Sequence, residues 1–204
     1  MSIQSKEKGN TLSHLLPAFI FTVVSIVALG LVYPVIIWAI GMVAFPHQAN
    51  GSLIVVDGKV IGSTLIGQTF TKPQYFHGRP SAAGKNGYDP TQTGGTNLGP
   101  TSKKLVDSVA AAVAALKKEN PDETGPVPPE LVTSSASGID PDVSPEGAYY
   151  QIPRVAKARK MTPDAVRSIV DAHIQGRTFG ILGEPHVNVL ELNMALDAAQ
   201  GIKP

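Results

Sequence analysis

Residue types and spacings suited to chemistry occur in three places. The first is Gly94-Gly95-Thr96-Asn97-Leu98-Gly99, followed by Pro100 and a helical pattern. Backbone amides at a glycine-rich helix start can cradle a phosphate. A nucleotide P-loop also needs Lys directly after its last glycine, then Ser or Thr for the metal. Pro100 stands at the lysine position, Lys103 comes too late, and no clear apolar strand precedes the run. Gly94, Gly95, Thr96, Asn97 and Gly99 are a candidate anion or nucleotide loop, with a structural glycine turn as the competing reading. The second place is Asp140, Asp142, Ser144 and Glu146, whose oxygens alternate as in a calcium loop. Pro145 replaces the glycine that loop needs and Gln151 replaces its closing glutamate, so a turn and a helix cap are the expectation. The third is Tyr75-Phe76-His77-Gly78-Arg79-Pro80-Ser81. Aromatic and Arg side chains are favoured recognition groups, which makes Phe76, His77, Arg79, Pro80 and Ser81, with Asn97, a candidate partner interface. His77 and Ser81 sketch a hydrolase pair, but no Gly-x-Ser-x-Gly elbow supports it.

Other chemistries are excluded by composition. The histidines, His14, His47, His77, His173 and His186, are scattered, with no two at ligand spacing. Cysteine is absent, which removes thiolate metal sites and thiol catalysis. The formal charge is +1, and Lys6, Glu7 and Lys8 account for it, so the rest is balanced. A neutral domain has no long-range field for nucleic acid.

The element that positions everything else is the run Leu15–Phe45, which contains no Asp, Glu, Lys or Arg. About 28 apolar residues from Ala18 to Phe45 exceed the roughly 20 that a helix needs to cross a bilayer. The run is too long for the core of a cleaved signal peptide, so an uncleaved anchor is expected. Pro34 predicts a kink near Gly30–Tyr33. Lys6, Lys8 and the amino terminus flank one side and only Lys59 the other, which orients the N-terminus toward the cytoplasm. The span carries no ionisable residue, and one helix has no cavity, so the chain by itself is neither channel nor pump.

Beyond the span, Ser52–Val56, Asp57-Gly58 and Lys59–Ser63 read as a β-hairpin with a type I′ turn, and Thr64–Phe70 as its extension. Residues 71–100 are a long irregular loop of the kind that is often functional. Leu105, Val109, Val113 and Leu116 mark a helix over Thr101–Glu119, capped by Thr101 or Ser102. Pro, Ser and Gly make 120–147 irregular. Ser144-Pro145-Glu146 starts a helix over Ala148–Gln151 that leads to Pro153. Thr162-Pro163-Asp164 starts another through about Gln175, with Val166, Ile169, Val170 and His173 on one face. A short run Val187–Val189 precedes a last helix, Leu190 to about Ala199. The fold class is α+β: a single N-terminal transmembrane helix, then one soluble mixed domain with a β-hairpin or small sheet and several helices. The expected divisions are a cytoplasmic segment 1–14, a transmembrane helix 15–45 and an extracytoplasmic domain 46–204.

The loop wording goes further. Tyr75 to Gly84, Gly94 to Pro100, Ser137-Gly138-Ile139-Asp140-Pro141, Arg154 to Arg159, Leu182-Gly183-Glu184-Pro185 and Val187 to Asn193 resemble, in order and spacing, the C subunit family of the Kdp-type potassium-transporting ATPases. The resemblance covers about Gly51 to Asp197. It implies a non-catalytic accessory subunit of a high-affinity, ATP-driven potassium import complex in the inner membrane. The implied partners are a channel-like potassium-translocating subunit, a P-type ATP-hydrolysing subunit and a small single-helix subunit. The family is described as a catalytic chaperone that raises ATP affinity of the hydrolysing subunit. No cofactor of the chain's own is assigned, and ATP enters through the complex. The orientation favours a domain over the channel entrance that acts in assembly and modulation. The alternative is a membrane-tethered nucleotide-binding module using residues 94–103.

Overall fold

The computed structural model describes residues 11–203. The flank with Lys6 and Lys8, and most of the segment expected at 1–14, lie outside the described residues. The chain divides into two compact units that meet in the sequence at Gly51 and Ser52.

The first unit is helical: α1 (Thr11–Val27), a π turn (Ala28–Val32), α2 (Tyr33–Ala44) and the short α3 (Pro46–Ala49). The helical span Ser13–Ala44 holds 32 mostly apolar residues, roughly 48 Å at helical rise, which exceeds the ~30 Å of a bilayer core. Phe19, Phe21, Ile26, Leu29, Trp38 and Val43 are all exposed, as on a helix whose solvent is lipid. Among the described residues the helix already includes Thr11 to His14, ahead of the apolar run that opens at Leu15. The disturbance expected from Pro34 takes the form of the π turn. Pro34 has no N–H, and its ring crowds the carbonyl of Gly30 in an α-helix. Widening the turn lets the Tyr33 amide donate to the Ala28 carbonyl, five residues back.

The second unit is α+β. Strands β1 (Leu53–Val56) and β2 (Lys59–Ser63) form the antiparallel hairpin, with a bulge between Ile54 and Val55. Asp57 (φ 50°) and Gly58 (φ 77°) both take the left-handed conformation that a type I′ turn requires. Thr64–Phe70 does not extend this sheet. Ser63 turns the chain instead: its side chain accepts from the Leu65 amide and its carbonyl from the Ile66 amide. Gly67 then donates to Ile139, where a side chain would collide with Tyr88.

A second sheet, in the order β3-β5-β4, joins β3 (Asp142–Val143), β4 (Ile174–Gln175) and β5 (His186–Asn188), all antiparallel. Helices α5 (Pro145–Arg159), α6 (Pro163–Ala172) and α7 (Val189–Ala199) accompany it, and α4 (Lys103–Glu119) completes the set. Two expectations change here. Helix α5 runs through Pro153 instead of ending before it. One lost hydrogen bond is outweighed by the burial of Gln151, Ile152, Val155, Ala156 and Arg159 on either side. Helix α6 stops at Ala172 rather than near Gln175, because Ile174 and Gln175 pair with β5. The core is Val143, Val155, Val166, Val170, Val187, Leu192 and Leu196, joined by Leu116 of α4 and by Phe76 of the long loop.

Candidate functional site

Residues 71–100 have no regular secondary structure apart from turns, so their backbone groups need partners other than strands. Helices α5 and α7 supply them from buried polar side chains. Asn193 reads both backbone groups of Phe76: its Oδ1 accepts from the amide at 2.8 Å, and its Nδ2 donates to the carbonyl at 2.9 Å. Gln151 does the same for His77 at 2.8 and 3.0 Å. Arg154 donates to the carbonyls of Pro73 (2.7 Å) and Tyr75 (2.9 Å), to Asn120 and to Gln151. Arg159 donates to the Gln74 carbonyl at 2.7 Å and pairs with Asp197 at 2.7 Å. The Tyr75 hydroxyl donates to the other Asp197 oxygen, and Arg159 lies 5.0 Å from the Tyr75 ring centre. Five consecutive residues are thus held as a strand would be, but by side chains.

This environment shifts titrations. Burial pulls the Arg154 guanidinium down to about 10, with Glu119 opposing, so it stays charged at neutral pH. Burial, then the Arg154 charge, lowers His77 below its usual 6.5. Glu119, 3.4 Å from Nδ1, pulls the other way, but it is half exposed and screened.

The second part of the loop folds on the segment around Gly138. Arg79 pairs with Asp140 at 3.0 Å, and its Nε is buried without a hydrogen-bond partner. The Tyr88 hydroxyl donates to the Arg79 carbonyl at 2.6 Å, and burial pushes Tyr88 up to about 12. The Ser81 hydroxyl donates to the Gly138 carbonyl and accepts from the amides of Tyr88 and Ala83. Gly138 has φ 70°, and a side chain there would stand 2.6 Å from the Gly94 carbonyl oxygen. Glycine is required on both counts.

The structure brings His77, Gly78, Arg79, Pro80, Ser81, Lys85 and Tyr88 around one open cavity of about 360 Å³. Phe76, by contrast, is fully buried and anchors the loop to the core. Asn97 is exposed at φ 53°. His77 and Ser81 do not pair, since the His77 ring engages the Lys72 carbonyl and Glu119 while Ser81 is spent on turn bonds. In the glycine-rich run, the Gly94 amide donates to Ser137, Gly95 packs on Ser135 and Ala136, and α4 begins only at Lys103, which pairs with Asp107. The oxygens once spaced like a calcium loop are used locally. Asp140 accepts from the Asp142 amide, Asp142 from Asn188, and Ser144 caps α5 by accepting from Gly147 and donating to Glu130. Among the described residues no group of three or more His, Asp or Glu converges.

Sequence reading missed Gln151, Arg154, Arg159, Asn193 and Asp197. The signal was a polar residue at a core position of an amphipathic helix: Asn193 and Asp197 share the buried side of α7 with Leu192 and Leu196.

Comparison with known proteins follows the same residues. Residues 15–198 match the family described as "KdpC: K+-transporting ATPase, c chain". The "Potassium-transporting ATPase KdpC subunit" of Burkholderia vietnamiensis is 55% identical over 182 residues, 89% of this chain and 94% of that one. The subunit of Nitratidesulfovibrio vulgaris is 54% identical over 169 residues (83% and 86%), and that of Myxococcus xanthus 53% over 193 (94% and 91%). The matched region starts in α1 and ends within α7, so it takes in the membrane-length helix, the pinned loop and the helices that pin it. The chain is a single-pass membrane subunit, and it belongs to the KdpC family, the c chain of K+-transporting ATPases.

Proposed function

We propose that this chain is an accessory subunit of an ATP-driven potassium import complex, required for assembly and modulation of the pump. The observation that carries this reading is the family match over residues 15–198, in a chain whose described residues include one membrane-length helix, with no Asp, Glu, Lys or Arg from Leu15 to Phe45. The partners are a channel-like potassium-translocating subunit, a P-type ATP-hydrolysing subunit and a small single-helix subunit. The N-terminus is cytoplasmic and the domain from about residue 46 is extracytoplasmic, a reading supported by Lys6 and Lys8 before the span. The domain sits over the channel entrance and presents His77, Arg79, Pro80, Ser81 and Asn97, with Phe76 as the internal anchor of that surface. Any effect on ATP affinity reaches the hydrolysing subunit through the complex, not through a nucleotide held here. The glycine-rich alternative has no observation in its favour, since the Gly94 amide and Lys103 are engaged within the chain.

The test has two parts. A reporter fused after Pro204 should be active only on the extracytoplasmic side. Purification of the tagged chain in mild detergent should bring the other subunits with it, and Asn97→Ala or Arg79→Ala should reduce that yield. An inward reporter, or a chain that purifies alone, would count against the proposal.

A further inference from the structure

We propose that the tip of the β4–β5 connection, Thr178–Leu182, is a knob that seats in an uncharged apolar pocket on the extracytoplasmic face of the potassium-translocating subunit. This deepens the function proposed above and rests on it.

The tip is exposed yet built. Phe179, Ile181 and Leu182 are 89%, 75% and 57% exposed, within four residues. Thr178 and Leu182 pair across the turn, amide to carbonyl in both directions at 2.8 and 3.0 Å, and the Gly180 amide donates to Arg177 at 2.9 Å. Below them Arg177 and Glu184 close the base with a 2.6 Å ion pair. This is an ordered projection that holds three large apolar side chains in water.

Backbone strain points the same way. Phe179 has φ 54° and Gly180 φ 78°. Consecutive left-handed residues are the domain of Asn, Asp and Gly, and a bulky side chain there is an outlier. A strained residue that is also the most exposed aromatic of the domain contributes nothing to the core, which motivates a functional role.

Charge and area narrow the occupant to a protein surface already held beside this chain, which the function proposed above assigns to the potassium-translocating subunit. The only charges in 177–184 are Arg177 and Glu184, which neutralise each other, so an anionic lipid surface has nothing to attract. Three such side chains offer roughly 400 Å², so two copies meeting tip to tip bury about 800 Å², short of the ~1,200 Å² of a stable interface. For a chain already tethered beside its partner by a membrane helix, a small second contact suffices, because effective concentration replaces area.

The test uses the full chain co-expressed with the other subunits. Phe179→Asn relieves the backbone and removes the most exposed side chain of the knob. Its thermal midpoint should equal or exceed that of the unaltered chain, while co-purifying potassium-translocating subunit should fall at least fivefold. Phe179→Asp and Phe179→Lys should lose the subunit equally, and a photo-crosslinking residue at position 179 should capture it. Unchanged co-purification of Phe179→Asn would overturn the proposal. So would a lysine variant held better than the aspartate one, which signals lipid headgroups, or crosslinks confined to lipid or to a second copy of this chain. If the unaltered chain itself brings no subunit, the underlying reading fails first, and this one with it.

Discussion

Asp197 lies at the junction of the loop, α5 and α7, and its surroundings set what its loss would do. It accepts from Arg159 and from the Tyr75 hydroxyl, and the Arg159 and Asp197 side chains are only 1% and 7% exposed. Removing one member of a buried pair leaves the other charge without compensation, so Asp197→Ala should destabilise the domain by about 3–5 kcal/mol. Asn193→Ala orphans the amide and carbonyl of buried Phe76 and should cost about 2–4 kcal/mol. Both are read as lowered unfolding midpoints of the detergent-solubilised chain. His77 makes a pH prediction. Its folded-state value lies below the ordinary 6.5, so the unfolded chain binds more protons between the two values. Its contribution is fully present above pH 6.5 and is lost as pH falls through the folded value. Unfolding midpoints measured from pH 7.5 down to 5 should fall less steeply in His77→Gln than in the unaltered chain.

Elements here start and stop for local reasons that are open to test. Ser144, Thr162 and Asn188 each cap a helix by accepting from the amide three residues on. Ser144 also donates to Glu130, so Ser144→Ala should cost about 1–2 kcal/mol, at the upper end for a cap. Helix α5 ends on Lys160, a non-glycine residue at φ 56°. Lys160→Gly should raise the thermal midpoint, by about 0.5–1 kcal/mol in stability, because only glycine takes that conformation without penalty. The hairpin was legible because Asp57-Gly58 states its own turn, and the faces of α4, α6 and α7 because 3.6-residue periodicity survives in the residues themselves. Strands β3 and β4, at two residues each, were not, since no period fits in so short a run. They exist because β5 lies between them.

At the scale of the whole molecule, a membrane-length helix and a domain of balanced charge make a tethered module of a larger machine. Among the described residues, the cavity lined by His77, Arg79, Lys85 and Tyr88 and the exposed tip at Phe179 are two separate surfaces that carry recognition groups. They separate experimentally. Substitutions in the tip should leave domain stability intact. Arg79→Ala should also cost some stability, since it frees Asp140 from its ion pair.

Some properties of this protein follow from the residues alone, because they depend on neighbours in sequence. The span needs only length and absence of charge, the hairpin two residues that tolerate positive φ, the caps a hydroxyl or amide before a helix, and family membership the order of its motifs. The role of residues 71–100 does not follow from them. That long loop has no period to read, and its conformation is dictated by Arg154, Arg159, Gln151, Asn193 and Asp197, which stand up to 122 positions away. Backbone groups without a strand partner must find one somewhere, and only the folded packing of α5 and α7 against the loop determines which side chains answer. For the same reason Phe76, read as a contact residue from its type, became an anchor once the core closed over it.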